Sequence, residues 1–142
     1  MAGTFGDEIL VVVGDLNSDP AWGPTADCMV PPAFDTLGTC PTPYAVMAAN
    51  GYTDTWTVRN GAPGPGYTCC QSDLLMNVES ELDQRIDHVW VRPPLSGAQG
   101  PHFLRAVHAV VTGNEQEDRT IDGLWPSDHA GLAVGMTLRQ EK

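Results

Sequence analysis

Five residues in three short motifs offer this chain its chemistry: Asp15 and Asn17 in Gly14-Asp15-Leu16-Asn17-Ser18, Asp87 in Arg85-Ile86-Asp87-His88, and Asp128 with His129 in Ser127-Asp128-His129. A carboxylate only accepts hydrogen bonds, whereas a carboxamide also donates. An Asp beside an Asn can therefore hold a water, a hard divalent cation and a phosphate oxygen at one spot. Adjacent Asp and His side chains leave an extended chain on opposite sides, so Asp128 and His129 would serve different partners. Taken alone, Asp-Leu-Asn-Ser-Asp-Pro reads first as a polar turn closing a strand. Three strand-edge acids accompanied by Asn17 and His129 make a constellation.

Each motif adjoins an apolar run that must position it. Ile9 to Val13 is continuous, apolar and β-branched, which predicts a strand buried on both faces, ended by Gly14. Side chains two apart on an extended segment point the same way, so Asp15 and Asn17 should leave its end side by side. Ile86 to Val91 reads as a second strand, and Ala130 to Leu138, with Gly131 and Gly135, as a closely packed third. Phe103 to Thr112 and Thr53 to Arg59 also read as strands. A helix is expected from about Tyr44 to Asn50, stopped by Gly51. Ala21 to Pro43 is a Pro- and Gly-rich connection, Asn60 to Gly66 a turn-rich loop and Asn114 to Asp118 an acidic loop. No internal repeat is present.

The ordered set Gly-Asp-Leu-Asn-Ser, Arg-Ile-Asp-His-Val and Ser-Asp-His resembles the C-terminal half of the endonuclease/exonuclease/phosphatase superfamily, the DNase I-like fold. The resemblance runs from about Ile9 to Leu138. Gly51-Tyr52-Thr53-Asp54-Thr55-Trp56 and Tyr67-Thr68 support it. What it implies is an α/β (α+β) chain forming half of a four-layer sandwich. That half would be one mixed, mostly antiparallel sheet of about five strands with one or two helices on one face, and residues 1–142 would form a single domain. The resemblance makes Asp15 the residue that positions or deprotonates the attacking water and Asn17 the one that holds that water or a phosphate oxygen. It places His129 at the scissile phosphate, with Asp87 bonded to its other ring nitrogen to fix the tautomer and favour the charged form. Asp128, with Asp15, would serve the metal, expected to be Mg2+ or Mn2+ because oxygen ligands dominate. Thr68 and Trp125 join Asn17 as candidate substrate contacts.

Members of that superfamily are usually about twice as long, with an N-terminal half that supplies a metal-binding glutamate, and Met1 to Glu8 is too short to hold it. The expectation is a fragment or half-length version of the domain. Its inner sheet face would lack cover. If that face spans about 800 Å2, covering it is worth on the order of 10 kcal/mol, comparable with the stability of a whole domain. A symmetric homodimer stacked through that face is therefore expected. Three functions stand side by side: a metal-dependent phosphoester hydrolase, a weakly active or inactive half-domain that serves assembly or binding, and a hydrolase of carboxylic esters. No Gly-x-Ser-x-Gly elbow supports a serine nucleophile for the third.

Composition narrows the substrate. The formal charge is −11, from 7 Lys and Arg against 18 Asp and Glu, and the basic residues are scattered. Non-specific affinity for nucleic acid comes largely from Lys and Arg neutralising phosphates, so duplex nucleic acid ranks below a small phosphoester or lipid headgroup. No run approaches a membrane span, and no signal peptide is visible at the N-terminus. The four cysteines hint at export of a parent protein, to the periplasm or beyond the cell. Cys28 and Cys40 flank the Pro-rich loop Met29 to Thr39 and either pair or stay free. A direct Cys69 to Cys70 bridge is disfavoured by the local geometry it demands. Trp56 and Trp90 are expected in the core, Trp22 beside a motif. His88, His102 and His108 are expected to be partly buried or at the surface, and Glu79, Glu81 and Asp83 on a solvated face.

Overall fold

The computed structural model describes residues 9–23, 40–61, 65–92 and 102–140. The Met29 to Thr39 loop and Cys28 lie outside them. The described chain is mixed α and β, with two antiparallel sheets of three and two strands. Strand β1 (Leu10–Asp15) is followed by helix α1 (Pro43–Ala49), the short β2 (Thr53–Asp54) and helix α2 (Thr55–Asn60). Then come β3 (Asp87–Arg92), β4 (His102–Thr112) and β5 (Gly131–Gln140).

Strand β3 is the centre. It pairs on one side with β1, Leu10 opposite Arg92 through Asp15 opposite Asp87, and on the other with β2, where Asp54 faces Trp90. Four consecutive residues, His88 to Val91, are buried, as a strand covered on both faces requires. Strand β1 departs from the expectation of burial on both faces: Val11 and Val13 are 43% and 68% exposed. The run is apolar throughout, but only one face of β1 finds cover among the described residues, and alternation sends every second valine to the other face.

Among the described residues the expected five-strand sheet is two sheets, because there β4 and β5 pair with each other and with no strand of the first sheet. Their register runs from His102 opposite Gln140 to Thr112 opposite Gly131, with a shift between Ala106 and His108 that inserts a bulge. The core lies where β3, α2 and the β4–β5 ribbon meet. It holds Trp56, Ile86, Val89, Trp90, Val91, Ala109 and Ala130. No helix among the described residues is long and apolar enough to cross a membrane.

Local signals explain the helices. Thr42 caps α1, its Oγ1 accepting from the Ala45 N–H at 3.2 Å, and Pro43 occupies the first turn. Asn50 and then Gly51, at φ +78°, end it, with the Gly51 and Tyr52 N–H groups returning to the Ala48 and Met47 carbonyls. The expected strand Thr53 to Arg59 is corrected: only Thr53 and Asp54 are extended, and Thr55–Asn60 is helix. Its Thr-rich sequence suits a strand, but the Asp54 carboxylate accepts from the Trp56 N–H at 3.1 Å and caps a helix instead.

A buried polar network ties these elements together. The Asp54 Oδ2 accepts from Arg85 Nη2 at 2.7 Å, Thr57 Oγ1 at 2.7 Å and the Tyr44 hydroxyl at 3.0 Å. Arg85 Nη1 donates to His88 Nδ1 at 3.1 Å, while His88 Nε2 donates to the Ser18 carbonyl at 2.9 Å. These partners require His88 to be neutral with its proton on Nε2. Burial, with the nearby Arg85 charge, pushes its pKa below 6.5 against the pull of the Ser18 carbonyl. Burial alone would raise the Asp54 carboxyl, but the hydrogen bonds from Arg85 and Thr57 and the Arg85 charge outweigh it and hold the group below 3.8.

Both shifts make the unfolded chain the better proton binder, so stability rises with pH across both windows. The contribution of His88 is complete above 6.5 and is lost as pH falls toward its depressed value. The contribution of Asp54 is complete above 3.8 and is lost below that. Urea unfolding followed at a series of pH values should therefore show two acid-side losses, with the upper one absent in His88→Gln. A His88→Gln profile that runs parallel to the parent's from neutral to mildly acid pH would contradict this assignment.

Candidate active site

The register of β1 and β3 sets Asp15 directly opposite Asp87 at the end of the sheet. Beyond it the pairing continues one step, the Leu16 N–H reaching the Ile86 carbonyl at 2.9 Å. The chain then turns at Asn17, whose φ of +46° lies in the left-handed region that Asn tolerates better than most residues. Its backbone N–H donates to Asp15 Oδ1 at 2.6 Å and its side-chain Nδ2 to Asp15 Oδ2 at 3.3 Å. Asp15 and Asn17 do end up side by side, joined by this Asx turn rather than by strand alternation.

Ser18 and Asp19 anchor the turn from below. Ser18 is fully buried, and its Oγ accepts from the Tyr44 N–H at 3.0 Å. The carboxylate of Asp19 accepts from the Arg85 N–H at 2.7 Å and the Ala21 N–H at 2.8 Å. The turn is thereby fixed to the start of the Arg-Ile-Asp-His segment, and two motifs distant in sequence become one platform.

The third motif is held by the segment at 67–71, which lies between the other two chains. Thr68 Oγ1 accepts from the N–H groups of Ile86 and Asp87, at 3.3 and 3.1 Å. Its carbonyl accepts from the Ala130 N–H at 2.8 Å, and the Gln71 N–H donates to the Asp128 carbonyl at 2.8 Å. Cys69 forms antiparallel bridges with both Gln84 and His129. Thr68 is fully buried, so it sets the backbone behind Asp87 rather than presenting a hydroxyl to a substrate. Trp125 is 1% exposed, its Nε1 donating to the Asn77 carbonyl at 2.9 Å and its ring lying under Arg119. It serves as the anchor of the 119–125 loop. Trp22 remains 46% exposed.

His129 arrives beside Asp87, its Nδ1 donating to Asp87 Oδ2 at 2.8 Å. The pair is half-buried, with side chains 29% and 22% exposed. Partial burial pulls the His129 pKa down, but the Asp87 hydrogen bond and the charges of Asp87, Asp128 and Asp15 raise it above 6.5. Ser127 shapes the approach, its Oγ accepting from the His129 N–H and donating to Asp128 Oδ1, both at 3.1 Å. Asp15 and Asp128 are exposed. The result is a half-open acidic patch around one imidazole, whose Nδ1 is engaged by Asp87.

Exposed carboxylate oxygens beside an Asn suit a hard cation that keeps most of its waters, so Asp15 and Asp128 fit Mg2+ or Mn2+ in donor type. Among the described residues, the group of three whose ligand atoms converge within 4.8 Å is a different one, Cys69, Cys70 and His129. The two cysteines are joined by a disulfide between neighbours in sequence, which corrects the expectation against that bridge. Cys40 is also disulfide-bonded. A cavity of about 430 Å3 lies elsewhere, lined by Trp56, Gly66, Tyr67, Leu82, Val110 and Glu115 among others, and by no residue of the three motifs that carry Asp15, Asp87 and His129.

Motif reading missed two things. The Asp54–Arg85–His88 network lies inside segments already singled out, and the signal was an arginine at the head of the strand-like Arg-Ile-Asp-His run, where burial demands a counter-charge. The cysteines beside His129 carried no such signal, since nothing local joins positions 69 and 129. Compared with protein-family models, curated proteins and solved structures, the chain returns no match.

Proposed function

We propose that this chain hydrolyses phosphoester bonds with the help of a hard divalent cation. The observation that carries the reading is the junction of the three motifs: Asp15 opposite Asp87, and Asp87 hydrogen-bonded at 2.8 Å to His129. The resemblance of those motifs to the endonuclease/exonuclease/phosphatase superfamily supports it. Asp15, oriented by Asn17, orients an attacking water, and Asn17 steadies that water or a phosphate oxygen. Asp87 holds His129 with Nδ1 protonated, so Nε2 meets the phosphate and handles the proton. Asp128 and Asp15 would hold Mg2+ or Mn2+, which supplies charge neutralisation on the phosphate oxygens. The net charge of −11 favours a small phosphoester or lipid headgroup over duplex nucleic acid.

The direct test is hydrolysis of a chromogenic phosphodiester in the presence of Mg2+ or Mn2+. Activity should vanish with a chelator and in Asp128→Asn. Activity that survives both, or appears only with a carboxylic ester, would overturn the assignment.

A second reading, of an assembly half-domain, draws on the open face of β1. Val11 and Val13 present apolar surface next to the site, and a second copy stacked on that face would cover it. Light scattering at micromolar concentration should give the mass of a dimer, reduced to that of a monomer by Val13→Lys. A wild-type monomer would remove the dimer while leaving the hydrolytic test intact.

A further inference from the structure

We propose that Cys69, Cys70 and His129 form a binding site for a soft divalent cation such as Zn2+, opened when the Cys69–Cys70 disulfide is reduced. One sulfur from each cysteine and a ring nitrogen of His129 already lie within 4.8 Å of one another. Ligands at tetrahedral Zn2+, about 2.3 Å away for sulfur and about 2.0 Å for nitrogen, stand roughly 3.5–3.8 Å apart. Binding an ion therefore takes an approach of about one ångström between the His129 nitrogen and the sulfurs and, once the bridge is reduced, a parting of the two bonded sulfurs to that spacing.

The backbone holds these donors together. Cys69 and His129 face each other in an antiparallel bridge, flanked by the Ala130 N–H to the Thr68 carbonyl and the Gln71 N–H to the Asp128 carbonyl. A pair in that position does not exchange its own backbone bonds, and its side chains approach most closely. Cys69 is buried, Cys70 exposed and His129 intermediate, so an ion enters from the Cys70 side and the fourth position stays open to water.

The histidine is prepared for a metal by its other nitrogen. Asp87 accepts the Nδ1 proton at 2.8 Å, which fixes the tautomer and leaves Nε2 as the ligand, the carboxylate–histidine–metal arrangement common at zinc sites. Two thiolates and an imidazole select a soft ion over Mg2+, so this site is chemically distinct from the carboxylate pair Asp15 and Asp128.

The disulfide is the gate. Two equivalents of a small-molecule thiol deliver two electrons and two protons to the bridge, joining as their own disulfide and leaving Cys69 and Cys70 as thiols. Zn2+ then displaces the two thiol protons to solvent as it binds. Resting on the hydrolytic reading in this one respect, a soft cation on Nε2 withdraws His129 from phosphate and shuts the reaction down only in the reduced protein.

Cobalt(II) titration of the full chain tests the site without reference to activity. After reduction with a phosphine, the absorption of a thiolate–cobalt bond should appear and saturate at one ion per chain, and be absent from the oxidised protein. Cys70→Ser should abolish it, Asp87→Asn should weaken binding by about 10–100-fold, and the exposed His108→Asn should change nothing. Reduction also frees Cys40, so a band that survives in Cys70→Ser assigns the ion to other thiols and overturns the proposal. So does a reduced protein that shows no band, or Asp87→Asn binding as tightly as the parent.

Discussion

His129→Ala is expected to lower phosphodiester hydrolysis by about 10²–10⁴-fold, the range a positioned acid or base contributes. The effect should fall on kcat, because the imidazole acts on the reacting phosphate rather than on remote parts of the substrate. Folding should be nearly untouched, since the side chain is 29% exposed and its one described side-chain partner is Asp87. Asp87→Asn gives a finer version of the test. It keeps a hydrogen-bonding group beside Nδ1 but removes the charge, so the raised His129 pKa should move down. A rate that depends on the imidazolium would then be lost at lower pH than in the parent, and one that depends on the neutral ring would be gained there. Imidazole chemical shifts followed by NMR report the pKa directly. A His129→Ala enzyme with more than about a tenth of parental kcat would remove His129 from the reaction.

The largest expected effect on stability belongs to Asp54→Ala. The carboxylate and the guanidinium of Arg85 are 2.7 Å apart with side chains 4% and 3% exposed. Removing the acid leaves a buried cation without its counter-charge, which costs about 3–5 kcal/mol. It also frees the Tyr44 hydroxyl and Thr57 Oγ1 of their acceptor and uncaps α2. Against a typical domain stability of about 5–15 kcal/mol, such a loss brings the chain close to unfolding. Urea denaturation should show it as a lowered midpoint with unchanged slope. Replacing both partners together, Asp54→Leu with Arg85→Met, should recover much of the loss, because no unpaired charge is left. A loss below about 1 kcal/mol, the ordinary size for an exposed ion pair, would mean that the pair is far more solvated than its burial implies.

How much of this was legible in the sequence differs from element to element. The strand windows Ile86 to Val91, Phe103 to Thr112 and Ala130 to Leu138 fall close to β3, β4 and β5, because runs of apolar and β-branched residues declare extended backbone locally. The helix after Thr42 was readable for a similar reason, with Gly51 marking its end. Thr53 to Arg59 was misread because propensity favours a strand and only the Asp54 side chain tips it to helix. Sheet membership was not readable at all. Whether β4 and β5 join β3 or pair only with each other depends on contacts far apart in the chain, which no window of sequence contains.

The same division runs through the candidate site. The identity and order of its polar groups, Asp15, Asn17, Asp87, Asp128 and His129, are written in the sequence, because donor and acceptor chemistry belongs to each side chain by itself. So is the net charge of −11. Tertiary structure alone decided that Asp15 faces Asp87, that His129 leans on Asp87 beside two cysteines, and that Thr68 and Trp125 are buried supports. The reason is physical: side-chain chemistry is local, whereas register and burial are settled by the packing free energy of segments brought together across the whole chain.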